Sequence, residues 1–236
     1  MIATNKVIAM NDETPKLNQE LAKLDAQQRM AYSIDNFSPR FALTSSFGVQ
    51  SAVCLHLATQ VMPDIPVIVV DTGYLFPETY QFIDALTKRL KLNLKVIQNP
   101  TSPAWFEARH GQLWNSGIKG IEAYNQLRKT APLEQALTDL GIKTWFSGIR
   151  RNQSDSRANK NFIEEKKGRY KVHPILDWTD RDVFLYLKKH DLPYHPLWEQ
   201  GYLSIGDTHS TQSIHQVDQV EQLRFFGLKR ECGIHD

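Results

Sequence analysis

Four short apolar runs punctuate the first two thirds of the chain: FALT at 41–44, PVIVV at 66–70, LNLKVIQ at 92–98 and TWFS at 144–147. The first three lead into polar loops and helix-like segments, and the fourth follows one, PLEQALTDLG. Runs as continuously apolar as Val67 to Val70 do not suit a sheet with one wet face. They suit strands covered on both sides, and alternation with helices then predicts a mostly parallel, twisted α/β sheet with helices on both faces. Right-handed crossovers bring the C-terminal ends of such strands to one edge, where ligands of open α/β sheets bind. Three polar loops are expected to converge there: residues 45–51, 71–74 and 147–157.

At 236 residues and 41% hydrophobic content, the chain reads as a single domain, 1–236. We divide it into an N-terminal helical arm (1–40), a nucleotide-binding α/β core (41–195) and a C-terminal tail (196–236). In the arm, Leu17, Leu21, Leu24, Met30 and Ile34 recur at roughly helical spacing. FIEEKKGRYKVHPI predicts a hairpin turning at Lys167 and Gly168, and Thr179 an N-cap for the helix after it. Beyond that helix the periodicity weakens into a Gly-, Ser-, Thr- and His-rich tail.

With 28 basic and 26 acidic residues the net charge is only +2, so no global field favours nucleic acid and any anion site must be local. Neither a secretory leader nor a membrane span is visible, which predicts a cytoplasmic protein with no membrane partner. Two cysteines, Cys54 and Cys232, exclude a disulfide scaffold and any four-cysteine metal or iron–sulfur site within one chain.

The chemistry is concentrated in a few loops. SSFGVQS, residues 45–51, places Ser45, Ser46, Phe47, Gly48, Gln50 and Ser51 between a buried strand and a helix, where hydroxyls and backbone N–H groups at a helix N-terminus suit a phosphate or sulfate. An ordinary strand-to-helix turn would have the same composition. The loop resembles the SGGxDS pyrophosphate loop of PP-loop adenylating enzymes, with two departures: Phe47 stands for a glycine and Gln50 for the aspartate. Asp71, Thr72 and Gly73 end the second strand, where a polar residue meets a ribose or base or, equally, caps the next turn. SGIRRNQSDSRANK opens with Gly148 and carries Arg150, Arg151 and Arg157, whose guanidinium forks match phosphate oxygens if they are more than a solvated face. Arg128 and Lys129 add charge, and Asp207 and His209 sit in GDTHST, where they anchor either the tail or a sugar. Cys54, in the apolar SAVCLHLA, reads as a core residue. Cys232 differs, because Lys229, Arg230 and His235 surround it with groups that depress a thiol pKa, and the thiolate is the nucleophile.

Taken together, SSFGVQ, DTGYLFPETY, TWFSGIRRNQSDSRA, YHPLWEQGYLSIGDTHST and LKRECGIH resemble the thioredoxin-dependent 3′-phosphoadenylyl sulfate (PAPS) reductases, and the resemblance runs over nearly all of the chain. The related adenylyl sulfate reductases carry an iron–sulfur cluster on four cysteines. Their places here look like Tyr124, Asn125, Asp207 and Ser210, so the resemblance points to the cluster-free, PAPS-using branch. It implies an adenine nucleotide α-hydrolase-like (PP-loop) fold with a mobile tail, attack of Cys232 on the substrate sulfur, and a cysteine S-sulfonate discharged by thioredoxin or glutaredoxin. It further implies Arg230 and His235 as helpers, a homodimer, and a place in sulfate assimilation toward cysteine biosynthesis. Two other readings are an ATP-cleaving PP-loop enzyme and a non-catalytic nucleotide-binding redox sensor.

Overall fold

The structure, a computed structural model, describes residues 13–229. Arg230, Cys232 and His235 lie outside the described residues. Six strands form one sheet in the order β3-β2-β1-β4-β6-β5: β1 Phe41–Thr44, β2 Pro66–Asp71, β3 Asn93–Gln98, β4 Thr144–Ser147, β5 Ile163–Lys166 and β6 Arg169–Val172. Every neighbouring pair is parallel except β5 against β6. That pair is the expected hairpin, and Lys167 and Gly168 at its tip take φ of 51° and 71°, as a two-residue turn matched to strand twist requires.

Side chains alternate across the sheet as the continuous apolar runs demand. Phe41, Leu43, Val67, Val69 and Phe146 face the larger core, together with residues of α3 (Ala52–Val61), α4 (Pro77–Leu90) and α8 (Asp180–Lys189). Ala42, Ile68 and Trp145 face the opposite layer, where α7 (Ala131–Asp139) contributes Leu133 and Leu137. The helical arm is α1 (Thr14–Ala22) and α2 (Ala26–Asn36), and its Leu17, Leu21 and Met30 join the larger core. Two polar clamps fix it. The Asn18 amide donates to the Ile163 carbonyl (2.9 Å) and accepts from its N–H (3.0 Å) at the sheet edge, and the buried Arg29 fork holds Asp177 at 2.6 and 2.8 Å. Thr179 caps α8 in a reciprocal box with Asp182.

The remaining helices are α5 (Pro103–His110) and α6 (Gly117–Asn125), and α6 runs into α7 through a π-helical turn, Gln126–Thr130. Among the described residues no helix is long and apolar enough to cross a membrane. From β1 the chain runs outward through β2 to β3 and then returns to the other side of β1 as β4. The strand order therefore reverses between β1 and β4, and the crevice above their C-terminal ends is where this topology places a ligand.

Candidate functional site

A cavity of about 590 Å³ opens at that crevice. Its lining is chemically mixed. Ser45, Ser46, Gly48, Gln50 and Ser51 come from the loop after β1, and Arg150, Arg157 and Arg224 are the cations that border it. Leu43, Ile149, Ile175 and Val183 add apolar lining, as do the exposed Phe184 and Trp198. Ser51 sits at the N-terminus of α3 without a side-chain cap bond, and its Oγ is a buried hydroxyl with no partner within the protein. A donor left open at a helix N-terminus is suited to an anion.

The loop keeps its shape despite its departure from a glycine pattern. Phe47 adopts a left-handed φ of 50°, and its ring is fully buried in the larger core. The backbone thus turns as a glycine would, while the ring points away from the cavity; Phe47 anchors the loop and does not line the site. Gln50 also has a definite partner, because its Oε1 accepts from Arg150 Nη2 at 2.6 Å. Arg150 is only 3% exposed and also donates to Asp180 Oδ1 at 2.8 Å, tying the loop to the N-terminus of α8.

A second, smaller pocket of about 70 Å³ adjoins the first through Ser45, Ser46, Ile205 and Arg224. Thr72, Lys129 and Asp207 close its far side. Asp207 is fully buried; its Oδ1 accepts from Thr72 Oγ1 at 2.5 Å and its Oδ2 meets Lys129 Nζ at 2.5 Å. Burial alone would raise the Asp207 pKa, but the Lys129 charge, followed by His209 and the Thr72 hydroxyl, holds it down at about 2. His209 stacks face to face on Trp114 at 3.8 Å, with Tyr74 and Tyr124 edge-on. Burial lowers its pKa to about 4, so the ring is neutral at physiological pH. Tyr124, Asn125, Asp207 and Ser210, the four positions singled out by the resemblance to cluster-bearing relatives, are all buried. Among the described residues no group of three or more His, Cys, Asp or Glu side chains is placed to hold a metal.

Several residues singled out in the sequence lie beside the cavity and not in its wall. Asp71 accepts from the Gly73 N–H (2.8 Å), the Tyr80 hydroxyl (2.7 Å) and Gln98 (3.2 Å), so it caps the turn after β2. Gly73 packs on Pro103 and the Arg128 guanidinium. Arg128 is 1% exposed and donates to the Thr72 and Thr101 carbonyls. It is a clamp between two loops. Arg151 donates to the Lys160 carbonyl and stacks on Phe162. Arg224, by contrast, escaped the sequence reading although it lines both pockets. It lies in a stretch without periodicity, and the only signal was its place in RFFG, a basic residue before two aromatics and a glycine.

Residues 40–213 match the family profile described as phosphoadenosine phosphosulfate reductase domain. The chain belongs to this family. A phosphoadenosine 5′-phosphosulfate reductase of Vibrio cholerae is 58% identical over 221 residues, covering 94% of this chain and 87% of the relative. One from Xylella fastidiosa is 56% identical over 225 residues, 95% of each chain. Among solved structures, a phosphate complex of the Candida auris PAPS reductase superposes with a TM-score of 0.75 at 28% identity, covering 87% of this chain and all of that one. An FMN adenylyltransferase of Candida glabrata in complex with FMN and an ATP analogue shares the fold alone, with a TM-score of 0.61 at 15% identity over 91% of this chain and 73% of that one. The chain therefore shares its α/β fold with that adenylyltransferase.

Proposed function

We propose that the chain reduces PAPS to sulfite and adenosine 3′,5′-bisphosphate, with Cys232 as nucleophile and thioredoxin, or glutaredoxin, as electron donor. The observation that carries this reading is the mixed lining of the cavity at the strand-order reversal. Leu43, Ile149, Ile175 and Val183 suit a nucleobase, and Ser45, Ser46, Ser51, Arg157 and Arg224 border the same cavity with donors suited to anionic groups. A smaller pocket, lined by Arg224 and by the Lys129–Asp207 pair among apolar side chains, adjoins it. Family membership supplies the chemical class.

The Cys232 thiolate attacks the sulfate sulfur, forming an S–S bond as the bond from sulfur to the phosphate oxygen breaks. The leaving group is adenosine 3′,5′-bisphosphate, and negative charge grows on its 5′-phosphate. Cations and hydroxyls aimed at that oxygen lower the barrier, and Arg224 and the loop at 45–51 are our candidates for that role. A reduced thioredoxin thiolate then attacks Cys232 Sγ, releasing sulfite and leaving a mixed disulfide that the second thioredoxin thiol resolves. The dithiol supplies both electrons. Gln50 supports this chemistry over ATP cleavage, since its neutral amide is bound to Arg150 where a PP-loop enzyme offers a carboxylate to a metal–pyrophosphate.

Assimilatory use of the product, a cytoplasmic location and a homodimer belong to the same reading. The decisive test is sulfite release from PAPS with reduced thioredoxin. Wild type should turn over, Cys232→Ser should not, and Arg224→Ala should lose roughly 10²- to 10³-fold in kcat, the usual scale for one lost transition-state donor. Full activity of Cys232→Ser would overturn the reading. For the 3′-phosphate we assign the cations of residues 151–160, with Arg157 the one that lines the cavity; Arg157→Ala should narrow the preference for PAPS over adenylyl sulfate, and an unchanged preference would count against it.

A further inference from the structure

The floor of the cavity contains a contact that the chemistry above does not use. Cys54, on α3, and Gly148, just past β4, both line the cavity and touch each other. A Cβ placed on Gly148 would stand 3.0 Å from Cys54 Cβ, 3.5 Å from its Sγ and 4.0 Å from Ile175 Cδ1. Gly148 is not in the left-handed region, so backbone conformation does not require a glycine there. Close approach does: the end of β4 rests on α3 so closely that a Cβ at 148 fits only if its neighbour gives way by a few tenths of an ångström.

We infer that the Cys54–Gly148 contact is the spacer that sets the width of the nucleobase crevice, making Cys54 a specificity-determining residue of this site. The inference rests on the nucleotide reading above. The two residues share the cavity lining with the apolar Leu43, Ile149, Ile175 and Val183, and the Cβ position of Gly148 faces Ile175. They also lie between the two elements, α3 and the end of β4, that bound the β1–β4 crevice. A planar base held there makes dispersion contacts with its walls, and a gap of 0.5–1 Å forfeits roughly a quarter to a half of each contact's attraction. The side chain at 54 is suited to this passive role. It is 5% exposed, and burial pushes its thiol up to about 12, so it does not compete with the catalytic thiolate for the substrate.

The test is calorimetric titration of the full chain with adenosine 3′,5′-bisphosphate, using wild type, Gly148→Ala, Cys54→Val and the double variant Gly148→Ala/Cys54→Gly. Each single variant pushes α3 and β4 apart and should weaken binding about tenfold or more, whereas the double variant, which removes the opposing Cβ, should recover most of it, the non-additivity expected of residues in contact. In turnover with PAPS the single variants should raise KM with little change in kcat, the pattern of lost uniform binding. Should Gly148→Ala fail to fold, Cys54→Val alone decides through its dissociation constant and KM. Affinity equal to wild type in the single variants, or simple additivity in the double, overturns the spacer. A wild-type chain that does not bind the nucleotide overturns the nucleotide reading and the spacer with it.

Discussion

Phe47 shows why a motif departure need not be a functional departure. In the sequence, Phe47 stands where the PP-loop pattern has a glycine. In the fold it takes the left-handed conformation itself and converts its bulk into core packing. Phe47→Ala should therefore cost about 3–5 kcal/mol of unfolding free energy in urea, the range for a buried phenylalanine truncation; a loss under about 1 kcal/mol would show that the ring is not an anchor. Asp207 carries a different burden, since without it Lys129 is a buried charge beside an apolar wall. Asp207→Ala should cost about 3–5 kcal/mol, as removing one member of a buried pair does. Denaturation at the wild-type urea midpoint would refute that. At this scale the sequence was legible where residue type and position agreed, as for Ser45, Ser46, Ser51 and Arg157. It misled where a charged side chain satisfied backbone carbonyls instead of a ligand, as Arg128 does, because nothing in LRK distinguishes an inward clamp from an outward charge.

β1, β2 and β4 were readable because burial on both faces leaves a largely apolar run, and the hairpin because Lys167-Gly168 supplies a turn between two short strands. The π-helical turn at Gln126–Thr130 was not readable. A regular helix rotates each residue by about 100°, whereas here the consecutive residues Arg128 and Lys129 are both buried, one against the β2 loop and the other against Asp207. The extra residue in the turn lets them share an inward direction, a use that fits the association of such bulges with functional sites. Deleting Leu127, which is exposed, should restore an uninterrupted α-helix with α6 and α7 still on their buried faces, but with successive residues about 100° apart, so that Arg128 and Lys129 no longer both point inward. We expect near-normal helical circular dichroism, a lowered Tm and loss of nucleotide binding. A deletion variant that binds nucleotide like wild type would deny the turn any positioning role.

For the whole molecule, pH stability follows from its buried histidines. Burial lowers His173, His195 and His209 to about 4, below the ordinary value of 6.5. Between those values the unfolded chain takes up protons that the folded chain refuses, so stability is fully present above about pH 6.5 and falls as pH drops through 4. Glu164 and Asp207, both held at about 2, extend the loss to lower pH as their unfolded counterparts protonate first. The urea midpoint should therefore fall steadily from pH 7 to pH 5, and a flat profile would contradict these assignments. The account as a whole turns on Cys232 meeting a substrate held at the β1–β4 crevice. The most direct measurement is intact-mass spectrometry of the protein mixed with PAPS without reductant, beside a Cys232→Ser variant. A gain of one sulfonate on the wild type alone, discharged as sulfite by reduced thioredoxin, is the predicted result. An unmodified wild-type mass, or an equal gain on both proteins, would contradict covalent catalysis at Cys232.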